Sequence, residues 1–186
     1  GVVPPFHYTL HDATGASLVV EPVAGTLKIY DNPFGVMTNS PEFDWHLTNL
    51  RNYVGFSLTG APPTRLGDVT IESLGIGSGM LGLPGDASSP ARFVRAAAYT
   101  AALRPVDTGE ELERTALHLL NNFDIPWGSI REDGDPTHDD HTLWSTIANL
   151  TDRRYVVRTY DNPVPQAIDL STVDFTGTEP LQVETP

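Results

Sequence analysis

Two residues of this chain have types and placements that could serve an oxyanion and an anion. Asn39 closes the run Met37-Thr38-Asn39-Ser40-Pro41, and Arg92 sits in the opening turn of Ser89-Pro90-Ala91-Arg92-Phe93. A side-chain amide at the end of a strand is aimed by the backbone, which suits a donor for a developing oxyanion. A cation in the first turn of a helix opposes the helix dipole, so it calls for negative charge nearby. From spacing alone the plainer reading prevails for both: Asn39 as a turn former before Pro41, and Arg92 as a surface ion-pair partner.

Other constellations are weaker. Gly77-Ser78-Gly79-Met80-Leu81-Gly82 has the letters of a dinucleotide fingerprint. That fingerprint needs a strand before it and a helix opening on it. Here Pro84-Gly85 follows at once, so a tight loop with backbone close to backbone is expected instead. Glu132, Asp133, Asp135, His138, Asp139, Asp140 and His141 form an acidic run. Its spacing fits neither a calcium loop nor a zinc helix, and it reads as a solvated loop. Asn149-Leu150-Thr151 is a glycosylation sequon at an expected strand end, read as chance. His7, His11, His46 and His118 share no triad-like spacing and read as partly buried structural histidines.

The elements that must carry these residues follow from pattern. Phe6–His11, Ser17–Val23 and Thr26–Tyr30 alternate or cluster apolar residues between turn signals, and predict an antiparallel meander. A fourth short strand is expected at Phe34–Thr38. Phe43, Leu47, Leu50 and Val54 mark one face of a helix. A second helix runs from a Ser88 or Ser89 cap, with Pro90 in its first turn, to about Leu103. Thr108 and Glu111 form a capping box for a third, with Glu110, Glu111 and Glu113 at its positive end. Its apolar face is Leu112, Ala116, Leu119 and Phe123. Strands return at Leu143–Leu150, Arg154–Tyr160 and Gln166–Leu170. Strands, then helices, then strands indicate an α+β protein rather than a doubly wound one.

Composition narrows the function classes. The 186 residues carry 24 acidic and 11 basic groups, a formal charge of −13. That balance argues against nucleic acid as a partner. No apolar run approaches the roughly 20 residues of a membrane-spanning helix, and no membrane role is expected. There is no leader pattern at the start, and any leader would precede Gly1. There is no cysteine, so this chain supplies no disulfide, thiolate ligand or cysteine nucleophile.

Four long segments carry a resemblance. They are Val36–Tyr53 (VMTNSPEFDWHLTNLRNY), Gly77–Arg95 (GSGMLGLPGDASSPARFVR), Leu119–Gly128 (LLNNFDIPWG), and Trp144-Ser145-Thr146 with Arg158–Asn162 and Ile168–Leu170. Together they resemble the choloylglycine hydrolase and penicillin V acylase family across nearly the whole chain. The resemblance implies an N-terminal nucleophile hydrolase with an αββα sandwich. It implies hydrolysis of linear amide C–N bonds in small molecules: conjugated bile salts, penicillin V or, in some members, N-acyl homoserine lactones. The family nucleophile is an N-terminal cysteine. By the same resemblance, Asn39 is the oxyanion asparagine, Arg92 the arginine beside the sulfur, and Phe6 lies near the acyl or steroid pocket. No metal or organic cofactor is implied. The Pro-rich stretch Gly55–Leu74 resembles the excursion through which family members associate, which implies a homo-oligomer.

Against that pattern, residues 1–186 are expected to be one partial domain, the C-terminal part of the sandwich. The strands and cysteine of the first part are absent from it. The chain alone is therefore expected to be inactive and to need that segment. The alternative, which the lack of cysteine permits, is a non-catalytic homologue serving in binding or assembly.

Overall fold

The computed structural model describes residues 6–131, 133 and 139–177. The chain divides into two compact units, residues 1–104 and 105–186. Its element order is strands, helices, strands, as the α+β reading expects.

The first unit opens with β1 (Tyr8–His11), β2 (Ser17–Val23) and β3 (Thr26–Asp31), an antiparallel sheet in the order β1-β2-β3. The Asp12 carboxylate accepts the Thr14 and Ala16 N–H groups and so shapes the first turn. These bonds favour the charged form and lower its pKa, with the Thr14 hydroxyl the largest contributor. No strand forms at Phe34–Thr38. Asn32 turns the chain, with Gly35 at φ 63°, and its side chain both donates to the Val36 carbonyl and accepts from the Val36 N–H. A side-chain amide thus supplies the pairing that a strand neighbour would have given.

Two helices cover one face of this sheet. The first, α1, is shorter than its apolar pattern suggests: α-helix spans Phe43–Asn49, and a 3₁₀ turn continues over Leu50–Tyr53. The second, α2, covers Ser89–Ala102 with the Ser88 hydroxyl accepting the Ala91 N–H. Phe43 and Phe93 meet edge to face with ring centres 6.0 Å apart, and both are fully buried. Val19 and Val36 complete this core, with Tyr30, Met37, Leu47, Leu50 and Ala96 packed around it. Each such large apolar side chain contributes about 1.5–3 kcal/mol by leaving water. The opposite sheet face is also apolar and lies open: Leu27 is 61% exposed and Ile29 60%, with Tyr8, Leu10 and Leu18 beside them.

The Gly55–Leu74 stretch, unpatterned at the sequence level, holds a small exposed hairpin of β4 (Thr64–Leu66) and β5 (Val69–Ile71). The Gly77–Gly82 run is not a strand-to-helix turn. It forms a 3₁₀ turn over Ser78–Met80 whose Gly79 is buried, with the Gly79 carbonyl accepting the Ser57 N–H at 2.7 Å.

In the second unit, α3 (Gly109–Leu120) has Thr108 as its cap, the hydroxyl accepting the Glu111 N–H. The box is only half made, because the Glu111 carboxylate reaches the Asp107 N–H instead. After a 3₁₀ turn at Asn121–Phe123, β6 (Ile130–Arg131) pairs with β7 (Asp139–Asp140). That pairing takes in part of the acidic run; Glu132, Asp135 and His138 lie outside the described residues. The second sheet has the order β10-β9-β8, from β8 (Trp144–Asn149), β9 (Arg154–Thr159) and β10 (Gln166–Asp169). Two expectations for α3 change. Leu112 is exposed, and Glu113 is buried rather than serving the helix dipole. Glu113 pairs with Arg154 at 3.2 Å and accepts from the Asn149 amide at 2.9 Å. Burying a carboxylate is tolerated when it is paired and hydrogen-bonded, and here both partners meet Oε1. The sequon asparagine is thus occupied by an internal bond.

The glycine run supplies a paired test. A Cβ on Gly79 would fall well inside contact with the Thr59 and Ser57 carbonyl oxygens, whereas one on Gly77 would meet nothing within 4 Å. Gly79→Ala should destabilise by about 1–3 kcal/mol, and Gly77→Ala by no more than about 0.5 kcal/mol. Denaturant unfolding of both variants checks the contrast.

Candidate active site

The site is built where the loop after β3 passes the first turn of α2. Asn39 does not end a strand. It lies in the irregular segment that leads to α1, just before a cis Ser40–Pro41 bond. Its aim comes from three contacts rather than from a sheet. The Thr38 hydroxyl donates to the Ser89 carbonyl at 3.1 Å and lies 3.0 Å from the Ser89 hydroxyl. This ties the loop to the start of α2. The Arg92 Nη2 donates to the Asn39 Oδ1 at 2.6 Å. The His46 Nε2 lies 2.9 Å from the Asn39 main-chain carbonyl oxygen, which can only accept, so Nε2 carries the proton.

The two residues singled out from sequence are therefore direct partners. Their bond orients the amide. With Oδ1 turned to the guanidinium, Nδ2 becomes the end with donors to give elsewhere. Arg92 also donates from Nε to the Ala87 carbonyl at 2.9 Å. One turn on, buried Arg95 donates to the Pro84 and Asp86 carbonyls. Both guanidiniums thus hold the loop that leads into α2. The loop carbonyls and the Asn39 amide oxygen provide partial negative charge at a helix start that would otherwise repel a cation.

Phe6 joins Asn39 at an open cleft of about 230 Å³, lined by Phe6, His7, Thr38, Asn39 and Ser40. Phe6 lies ahead of β1 rather than within it, and is 60% exposed. His7 beside it belongs to a deeper network. Its Nδ1 lies 2.5 Å from the Glu21 Oε1. Glu21 is almost wholly buried, and both its carboxylate oxygens accept the Phe43 N–H, at 3.0 and 3.1 Å. A carboxylate is well placed there, because the first N–H groups of a helix lack partners in the helix and carry partial positive charge.

His46 is the residue that sequence reading undervalued. It is fully buried and stacks on Phe93 with ring centres 4.5 Å apart and planes 13° from parallel. Burial pushes its pKa below the ordinary value, and His7 adds to this. The Asn39 carbonyl, the Glu21 carboxylate and the Pro41 carbonyl pull the other way. The signal was available: with Phe43 at position i, His46 falls at i+3, inside the stripe that Leu47 and Leu50 continue. Among the described residues, no group of three or more His, Asp and Glu side chains is arranged to hold a metal ion.

The model of the linear amide C–N hydrolases, choloylglycine hydrolase family, matches residues 1–183. A bile salt hydrolase/transferase of Clostridium perfringens is 37% identical over 173 residues, which are 93% of this chain and 52% of that protein. A penicillin V acylase of Pectobacterium atrosepticum is 26% identical, over 91% of this chain and 42% of that one. The crystal structure of a conjugated bile acid hydrolase variant from Clostridium perfringens aligns with a TM-score of 0.81 at 36% identity. It covers 93% of this chain and 52% of that one. The penicillin V acylase structure from Agrobacterium tumefaciens aligns with a TM-score of 0.70 at 26% identity, over 93% of this chain and 48% of that one. The chain spans about half the length of the curated relatives it matches.

The lowered pKa of His46 has a signed consequence. Near neutral pH the unfolded histidine begins to take a proton that the buried one refuses, so the unfolded state binds more protons. Stability should fall as pH drops below about 6.5, and should level off only below the native pKa. In His46→Gln this part of the slope should vanish. Unfolding free energies of both proteins between about pH 5 and pH 7 check it.

Proposed function

The chain belongs to the choloylglycine hydrolase family of linear amide C–N hydrolases, and we propose that it carries the oxyanion-binding part of an amidohydrolase site. The observation that carries this reading is the Arg92–Asn39 bond of 2.6 Å, which turns the donor end of the asparagine amide away from the guanidinium. Attack on an amide carbonyl moves an electron pair onto the oxygen. A preorganised N–H donor lowers the energy of that oxyanion more than that of the ground-state carbonyl. Asn39 Nδ2 is that donor. Arg92 holds Asn39, and its positive charge favours a thiolate nucleophile close by. These 186 residues contain no cysteine, so in this reading the nucleophile comes from residues outside them. Phe6 at the cleft offers an aromatic face for the acyl side of the substrate.

Conjugated bile salts are the first substrate class to try, since the bile salt hydrolase relatives reach 37% identity and the penicillin V acylase relative 26%. A non-catalytic role in binding or assembly is the second reading, favoured by the missing cysteine alone. Homo-oligomer formation through the exposed β4–β5 region belongs to the same proposal.

Three measurements test this reading. The 186 residues alone should give no turnover of glycocholate or penicillin V; turnover at the rate of a complete family enzyme would remove the need for an outside nucleophile. In the protein that also carries the nucleophile, Asn39→Ala should lower kcat by about 10²–10³-fold with the fold intact. A loss below about threefold would take Asn39 out of the mechanism. In the same protein, Arg92→Ala should shift the pH–rate profile upward, because the thiol loses a favourable charge. An unmoved profile would make Arg92 purely structural.

A further inference from the structure

We propose that His46 is a positioning residue for the reaction, holding the Asn39 backbone so that its side-chain amide meets the oxyanion. The proposal rests on the reading of Asn39 as the oxyanion donor. Arg92 fixes one end of Asn39, the side-chain oxygen. One contact at the tip of a long side chain leaves the Asn39 backbone able to pivot. His46 removes that freedom from the other end, with its Nε2 proton on the Asn39 main-chain carbonyl.

The histidine itself is held without slack. It is fully buried, lies flat on Phe93 at 4.5 Å, and meets Trp45 edge-on at 5.6 Å. Phe93 follows Arg92 directly in α2. The ring that seats His46 and the guanidinium that holds the asparagine side chain are thus carried by adjacent residues of one helix. Any shift of α2 moves both clamps together. This couples α1, α2 and the loop between β3 and α1 into one support for a single amide.

Chemistry favours the neutral ring. One N–H, on Nε2, suffices for the carbonyl, and a second proton would sit in a buried, largely apolar setting. Misplacement of a donor by about 1 Å is enough to lose much of its effect in the transition state. A donor that acts mainly on the transition-state oxyanion contributes little to ground-state binding, so the loss should fall on kcat and spare KM.

The test uses the protein that carries both this chain and its nucleophile, with glycocholate or penicillin V, whichever it hydrolyses. His46→Phe keeps the ring and its stacking but removes the donor. His46→Gln places an amide nitrogen near the position of Nε2. We expect H46F to lower kcat about tenfold or more with KM within about twofold, and H46Q to stay within about threefold of the parent. In the Asn39→Ala background, H46F should add less than about twofold, because it acts through a residue already removed. An H46F protein with parental kcat overturns the proposal. So does an H46F loss that is as large with Asn39 absent as with it present. So does an H46Q loss as severe as that of H46F. If Asn39→Ala alone leaves kcat unchanged, the oxyanion reading itself fails, an outcome separate from failure at His46. Thermal melts confirm folding, and should H46F not fold, His46→Met carries the same comparison, filling the space without a donor.

Discussion

Asn39 is gripped at two ends by two different helices, and the first unit is organised around that grip. The side-chain oxygen accepts a hydrogen bond from Arg92 of α2, and the main-chain oxygen accepts one from His46 of α1. Neither bond is worth more than about 1–3 kcal/mol. Their value is geometric, since two fixed points and the Thr38–Ser89 contact leave an irregular loop little room to move. A side chain on a loop needs such support to be held in one place, because loops lack the ladder bonds that hold strands. The core packs to the same end. Phe43 and Phe93 meet in it, one from each helix. Each phenylalanine lies within three residues of a side chain that touches Asn39.

Charge placement follows the same economy of position. Glu21 is a carboxylate in the core, a costly residue if unpaired. It is matched by His7 and by the first N–H of α1, so its negative charge sits at the positive end of that helix. The result is a fixed N-terminus for α1, and hence a fixed His46 one turn further on. His7 in turn is held at the wall of the cleft that Asn39 shares. The second unit solves a similar problem with Glu113, whose partners Arg154 and Asn149 flank the turn between β8 and β9. In each unit a buried acid ties a helix to its sheet: Glu21 of the central strand β2 to α1, and Glu113 of α3 to the β8–β9 turn.

Much of this was legible in the residues. The three strands of the first sheet, the start of α2 at Ser88-Ser89-Pro90 and the three C-terminal strands follow from alternation, capping and turn chemistry, all local signals. Asn39 and Arg92 stood out by type and position, yet 53 residues separate them, and no periodicity could announce that they touch. Their pairing is a tertiary fact. For His46 the helical stripe of Phe43, Leu47 and Leu50 announces burial, but not the contact with Asn39. Only the packing of α1 on Phe93 turns it into a buried donor. Val36 misled because it is extended and apolar, like a strand residue, while its polar groups bond to the Asn32 side chain. Leu112 and Glu113 misled because burial on α3 is decided by what Arg154 and Asn149 offer, not by hydropathy.

The open face of the first sheet fits into this physics. β2 reads Ser-Leu-Val-Val-Glu-Pro-Val, nearly continuous in apolar residues rather than alternating. A strand with one solvated face would alternate; a continuous apolar run belongs to a strand buried on both sides. One side is accounted for by α1 and α2, which pack on Val19. The other carries Tyr8, Leu10, Leu18, Leu27 and Ile29, all exposed among the described residues. A sheet with two apolar faces is what a sandwich of the family type requires, with helices on one side and a second sheet on the other. The site obeys the same logic. Asn39 and Phe6 line one open cleft, as the exposed apolar residues line one open sheet face.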